Sequence, residues 1–183
     1  MKRESAPQKI AIVGPESSGK STLAGRIRER LAGRARVAVV EEYARDYYRD
    51  RPYRPTPRDV LAIARGQLEA ERCAAPGADL LVCDSTVLTC RIWSEVAFGT
   101  VEPELAGLWR PDDYALTLLA CPDIPWQPDP LRSHPDGRDE LLERYRAALA
   151  ASLVEWVEIR GEAEARIARA MAAIGELLAP DVA

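Results

Sequence analysis

Apolar residues in this chain fall into two kinds of stretch that alternate from end to end. Lys9–Val13, Arg36–Val40, Leu80–Cys83, Ala115–Ala120 and Trp156–Ile159 are short and almost wholly apolar. Runs of that length predict strands covered on both faces, as in a parallel sheet. Between them the spacing changes to three and four. Leu23, Ile27 and Leu31 mark one helix, stopping near Gly33, and Val60, Ile63, Ala64, Leu68 and Glu71 mark a second. The second has a start signal, Thr56 as N-cap with Pro57 at the first helical position, and a stop at Pro76-Gly77. Leu88, Ile92 and Val96 give a helix over Thr86–Phe98 closed by Gly99; Trp93 in it reads as packing. Leu142, Tyr145, Leu149 and Leu153 give another, and Ile167, Met171, Ile174 and Leu178 face inward on a last helix over Glu162–Leu178. Strand and helix in strict alternation predict a three-layer α/β fold with a five-stranded parallel sheet and right-handed crossovers.

The turn after the first strand carries the chemistry. Gly14-Pro15-Glu16-Ser17-Ser18-Gly19-Lys20-Ser21-Thr22 is G-x-x-x-x-G-K-S/T, with a buried strand before it and a helix after it. A polyphosphate is wrapped by successive backbone N–H groups, so glycines stand where a Cβ would obstruct the turn. Gly14, Glu16, Ser17, Ser18, Gly19, Lys20, Ser21 and Thr22 are therefore the expected ATP cradle. Lys20 reaches the outer phosphates, the helix N-terminus faces the same anion, and the Ser21 hydroxyl suits Mg²⁺.

Two other strands end in acids, at the carboxyl ends of the strands, where open α/β folds bind ligands. Glu41 and Glu42 follow the second strand, and Glu42 can take the proton of an acceptor hydroxyl. Asp84 follows the third and joins Ser21 as a candidate Mg²⁺ ligand. Tyr43 to Arg58 mixes four tyrosines with five arginines and reads as a mobile flap over a small anionic ligand. Residues 121–139 form a long proline-rich loop, the expected lid, carrying Trp126, Asp129, Arg132, His134 and Arg138; Arg132 and Arg138 can cover phosphates there.

Composition narrows the partners. The 183 residues suit one domain, 1–183, with tails at 1–8 and 179–183. A net charge of −4 provides no basic field for nucleic acid or an anionic membrane. Cys73, Cys83, Cys90 and Cys121 lack metal-ligand spacing and read as reduced thiols. With no signal peptide at Met1–Gln8 and no long apolar stretch, the expected location is cytoplasmic.

The P-loop, Glu42-Tyr43-Ala44-Arg45-Asp46-Tyr47, Gly66-Gln67, Asp84-Ser85-Thr86 and Pro125-Trp126-Gln127-Pro128-Asp129-Pro130-Leu131-Arg132 occur together and in order. In this the chain resembles the ribosylnicotinamide kinase domain of NadR-type proteins, over roughly Lys9 to Ile174. The resemblance implies a sheet order of 2-3-1-4-5 and ATP-dependent phosphorylation of the 5′-hydroxyl of nicotinamide riboside, giving nicotinamide mononucleotide for NAD salvage. It makes Glu42, Tyr43, Arg45, Gln67, Trp126 and Asp129 the substrate-binding residues, and Lys20, Glu42, Asp84, Arg132 and Arg138 the catalytic ones. Thr86 departs from the family, which often has an acid or asparagine there. No room is left for the helix-turn-helix and adenylyltransferase domains of full-length NadR proteins. A kinase for another nucleoside-like alcohol and a nucleotide-sensing ATPase that binds a protein partner are the alternative readings.

Overall fold

A computed structural model describes residues 6–128 and 136–178. The elements are β1 (Gln8–Val13), α1 (Lys20–Leu31), β2 (Val37–Val40), α2 (Tyr43–Tyr48), α3 (Pro57–Ala74), β3 (Leu80–Asp84), α4 (Val87–Phe98), α5 (Pro103–Leu108), a 3-10 turn (Pro111–Asp113), β4 (Leu116–Ala120), α6 (Arg138–Ser152), β5 (Trp156–Ile159) and α7 (Ala163–Leu178). The five strands form one parallel sheet in the order β2-β3-β1-β4-β5, as the resemblance implies.

Alternation along each strand divides the core between the two faces of the sheet. Ile10, Ile12, Leu80, Val82, Leu116 and Leu118 face α1 and α7. Ala11, Val13, Leu81, Cys83 and Leu119 face the other way, against α4 and α6. Every residue of β3 and of β4 is buried, which is why these strands read as unbroken apolar runs. A third cluster joins α2, α3, α4 and α5 around Tyr48, Val60, Ile63, Cys90 and Leu105. At full burial each aliphatic side chain contributes roughly 1.5–3 kcal/mol, so this third cluster suffices to hold short helices that propensity alone would not.

Thr56 caps α3 as expected, and Asp59 completes a capping box with it: the Asp59 N–H donates to Thr56 Oγ1 at 3.3 Å and the Thr56 N–H to Asp59 Oδ2 at 2.8 Å. Glu71, on the same helix, is fully buried. It accepts from Lys9 Nζ at 3.0 Å and from the Tyr114 hydroxyl at 2.8 Å. Burial, with the Glu71 carboxylate beside it, raises the Tyr114 phenol far above its ordinary value.

Three sequence expectations change. The segment after Glu42 opens as helix α2 where a flap was expected: the Tyr43 N–H donates to Gln67 Oε1 at 2.9 Å and Tyr48 is buried, so tertiary contacts order it. Leu153 is 94% exposed because α6 ends at Ser152 and Leu153 takes a left-handed cap, φ 57°, turning the chain toward β5. On α7, Ile167 and Ile174 face inward as expected, Met171 only partly, and the terminal Leu178 is exposed; Arg166, Ala170 and Ala173 complete the buried stripe. Helix α5 and the 3-10 turn lie between Gly99 and Ala115, where no periodic pattern predicted them.

Candidate active site

The P-loop joins β1 to α1 at the centre of the sheet, and its shape follows from close backbone approach. At Gly14, φ is 142° and a Cβ would lie 2.3 Å from the Ala120 carbonyl oxygen, so the loop leaves β1 against the end of β4. Gly19 takes φ 78° as the N-cap of α1 and offers no side-chain cap, and the first turn of α1 holds no acid. Among the described residues the first N–H groups of α1 therefore have no capping side chain, and the first turn no acid, to compete with an incoming anion. Lys20 Nζ donates to the carbonyls of Gly14 at 3.0 Å and Pro15 at 2.9 Å.

A cavity of about 250 Å³ opens beside the loop. Gly14, Glu16, Ser17, Ser18, Gly19, Lys20, Ser21 and Thr22 all line it, as do Glu42, Arg45 and Gln67 from β2–α2 and α3. The Glu42 carboxylate lies 3.5 Å from Arg45 Nε, one helical turn on, and is one-quarter exposed. Gln67 is 2% exposed; its Oε1 accepts the Tyr43 N–H, and its Nε2 has no partner among the described residues. The amide is thereby oriented with its donor end left over. The Tyr48 hydroxyl is likewise buried with no partner among the described residues, and Tyr48 lines the cavity.

Tyr53 and Trp93 add aromatic surface to the same wall, with ring centroids 6.4 Å apart. Burial, and secondarily the carboxylates of Glu16 and Glu42, pushes the Tyr53 phenol up to about 12. Burial pushes the Cys90 thiol up to about 12 as well, which disfavours the thiolate at this position of the cavity wall. The Tyr145 hydroxyl meets Thr89 Oγ1 at 3.1 Å, tying α6 to α4 across the cavity. Thr86, at the position where the sequence departs from the resemblance, is fully buried, caps α4 by accepting the Leu88 N–H at 3.3 Å, and also lines the cavity.

Asp84 ends β3 next to β1, in register with Ile12. It is 4% exposed, and its Oδ1 is buried with no partner among the described residues. Ser85, immediately after it, is held at φ 80° while its N–H donates to Ile12 O at 3.0 Å. A desolvated carboxylate oxygen without a donor, next to a residue in a sparsely populated conformation, fits a hard cation or its water shell. No group of three or more His, Cys, Asp or Glu side chains gathers among the described residues.

Tyr43, Asp84, Trp126 and Arg138 are not on the cavity wall; Ser85 and Thr86, which follow Asp84, are. The Tyr43 ring lies on Gly66, where a Cβ would come within 2.0 Å of it. Trp126 carries the Arg138 guanidinium 5.8 Å above its ring centroid, and Arg138 Nη1 donates to Ile124 O at 3.0 Å and Ser17 O at 3.4 Å. With the Gln127 N–H donating to Ser17 Oγ at 2.8 Å, the loop after β4 is fastened to the P-loop. Asp129, Arg132 and His134 lie outside the described residues, as do the tails 1–5 and 179–183. One site feature carried no sequence signal: Arg166 on α7, 5% exposed, contacts the P-loop carbonyl of Ser18.

Comparison with solved structures finds the same fold. The chain is similar to a NadR protein in complex with nicotinamide riboside (NR; 19% identity, TM-score 0.78, 97% of this chain and 52% of that one). A NadR protein in complex with NAD and AMP-PNP gives 19% identity, TM-score 0.73 and coverage of 97% and 51%. The deoxyadenosine kinase from M. mycoides gives 14% identity, TM-score 0.62 and coverage of 92% and 100%. The chain spans about half the length of the NadR chains it matches. No curated protein matches it. No described helix is long and apolar enough to cross a membrane. The family model for the AAA domain matches residues 9–166, from β1 through the P-loop, the acid-ended strands and the first turn of α7, and the chain therefore belongs to the AAA domain family.

Proposed function

We propose that this chain is an ATP- and Mg²⁺-dependent kinase that phosphorylates the 5′-hydroxyl of nicotinamide riboside, giving nicotinamide mononucleotide. The observation that carries the reading is that the P-loop and the Glu42 carboxylate share one cavity with a wall built from Tyr48, Tyr53, Trp93 and Gln67. A phosphate cradle, a base and an aromatic compartment are the parts that transfer to a nucleoside needs. The likeness in fold to NadR chains holding NR and AMP-PNP, and to a deoxyadenosine kinase, supports a nucleoside as acceptor.

In the proposed reaction the riboside hydroxyl oxygen bonds to the γ-phosphorus as the bond to ADP breaks, and Glu42 takes the hydroxyl proton. Arg45, 3.5 Å away, steadies that carboxylate. Lys20 exchanges its two loop carbonyls for phosphate oxygens, and the N–H groups at the start of α1 meet charge on the phosphates. Ser21 and Asp84 would hold Mg²⁺, which neutralises phosphate charge when bound. The leftover Gln67 donor requires an acceptor atom on the nucleoside, and the aromatic wall suits a flat ring. The roles of Asp129 and Arg132 remain those implied by the resemblance.

The test is a phosphotransfer assay with ATP, Mg²⁺ and a nucleoside panel that includes nicotinamide riboside. ADP release should depend on the riboside and be accompanied by its monophosphate. ADP release at the same rate without any nucleoside would replace this reading with that of an ATPase; release with another nucleoside alone would reassign the substrate.

A further inference from the structure

Arg166 carries its charge in the first turns of α7, is almost wholly buried, and does not line the nucleotide cavity. Its guanidinium is used on several sides. Nη1 donates to Asp123 Oδ1 at 2.6 Å; Nη2 donates to Ser18 O at 2.6 Å and Cys121 O at 3.2 Å. The other Asp123 oxygen accepts the Gly161 N–H at 2.7 Å. The P-loop, the exit of β4, the turn before α7 and α7 itself thus meet at one buried cation. Such a charge is tolerated only where its donors are satisfied, and here one of the acceptors is a peptide of the phosphate cradle.

That peptide is the one between Ser18 and Gly19. A trans peptide is planar, so its C=O and N–H point in opposite directions, and no cis bond occurs among the described residues. With Ser18 O drawn toward Arg166, the Gly19 N–H is turned the other way, and both residues line the cavity. Gly19, at φ 78°, has no Cβ to resist a flip of this peptide, so its direction must be set from outside the loop. A cation on the carbonyl also polarises the amide and strengthens its N–H as a donor.

We propose that Arg166 is a positioning residue of the phosphate cradle: it fixes and polarises the Ser18–Gly19 peptide so that the Gly19 N–H is presented to a nucleotide's polyphosphate. This rests on the nucleotide-binding reading of the P-loop and adds to it a residue on α7 that touches no substrate. The affinity for polyphosphate then depends on the Arg166 fork, while the affinity for the nucleoside does not.

The experiment is calorimetric titration of the full chain with AMP-PNP plus Mg²⁺, and separately with nicotinamide riboside, for wild type, Arg166→Gln, Arg166→Lys and Asp123→Asn. The Gly19 amide resonance is followed by NMR during the AMP-PNP titration. Arg166→Gln should weaken AMP-PNP binding at least about tenfold, the equivalent of roughly 1.4 kcal/mol, and leave riboside binding within about twofold. It should also remove the downfield movement of the Gly19 amide that nucleotide binding produces in the wild type. Arg166→Lys, which keeps the charge without the fork, should recover only part of the loss, and it carries the same comparison if Arg166→Gln does not fold. Asp123→Asn, which removes the ion pair and leaves the Ser18 contact, should lower the melting temperature but weaken AMP-PNP less than about threefold. Equal losses for AMP-PNP and riboside, an unmoved Gly19 response, or Asp123→Asn matching Arg166→Gln would each reduce Arg166 to a stability role. A wild-type chain that binds riboside but no AMP-PNP overturns the nucleotide reading itself, whereas normal AMP-PNP binding by Arg166→Gln overturns this proposal alone.

Discussion

Replacing Gly66 with alanine probes the link between the packing of α2 and the proposed chemistry. Gly66 sits in α3 next to Gln67, and an added Cβ would stand 2.0 Å from Tyr43 Cε1, 2.4 Å from Cδ1 and 2.5 Å from Cζ. Carbon atoms rest about 3.5–4.0 Å apart, so the ring must move by roughly 1.5 Å. Tyr43 directly follows Glu42, and its N–H is tied to Gln67 at 2.9 Å. The displacement is therefore passed to both the candidate base and the oriented amide. On stability, overpacking costs about 1–3 kcal/mol, and alanine in place of glycine inside a helix returns about 1 kcal/mol. The net loss is roughly 0–2 kcal/mol, a few degrees in Tm for a chain of this size. A misplacement on the order of 1 Å costs about a hundredfold in rate, so kcat at saturating riboside should fall far more than stability does. The assay is kcat beside a thermal melt for Gly66→Ala, Tyr43→Ala and the double variant. With the ring removed there is nothing to clash, so in the Tyr43→Ala background Gly66→Ala should become neutral or stabilising by about 1 kcal/mol. Equal destabilisation in both backgrounds, or wild-type kcat in Gly66→Ala, would refute the coupling.

Asp84→Asn should reduce Mg²⁺-dependent turnover by orders of magnitude while the melting temperature stays level or rises, because the variant removes the negative charge of a buried carboxylate whose Oδ1 has no partner among the described residues; unchanged activity would leave Asp84 a strand-end residue only. Glu42→Gln should lower kcat about a hundredfold or more with AMP-PNP affinity retained, and normal riboside turnover would remove Glu42 from the mechanism. Glu158 accepts from Arg146 Nε at 2.6 Å and Arg160 Nε at 2.7 Å, and these partners hold its carboxyl at about 2, against an ordinary 4.5. Its folded pKa is depressed, so its stabilisation is present above about pH 4.5 and is lost as pH falls from there toward 2, amounting to roughly 1–2 kcal/mol after solvent screening. Chemical denaturation across that range should show the loss, and Glu158→Gln should flatten it.

The parts of the fold legible in the sequence were those whose stability is local or strictly periodic. The five strands are continuous apolar runs because the sheet is covered on both faces, and the Thr56-Pro57 start is written in residue types that cap a helix by themselves. Helix α2 was not legible, since six residues carry too little periodicity and its order comes from Gln67 and the Tyr48 pocket. The site divides in the same way. A P-loop announces itself because backbone geometry demands its glycines, and Glu42, at the end of a strand, reaches the same cavity. Tyr43 shared a motif with Glu42 yet faces Gly66, a difference that only the helix direction decides. Arg166 looked like any polar position on α7 among many arginines; its burial depends on acceptors from Ser18, Cys121 and Asp123, far away in sequence.

The lysine at the start of α1 has a consequence for how nucleotide affinity is to be understood. Because its ammonium rests on the Gly14 and Pro15 carbonyls, the loop's own carbonyls compete with any phosphate for it. A phosphate does not meet a vacant cation; it displaces two neutral acceptors, and only the difference between the two sets of hydrogen bonds reaches the measured free energy. Removing the Lys20 side chain would then weaken ground-state binding by less than the full strength of a lysine–phosphate contact, because the empty state loses bonds too. In the proposed transfer the larger loss would fall on the transition state, where the charge on the transferred group is spread over oxygens that carbonyls of the loop cannot imitate.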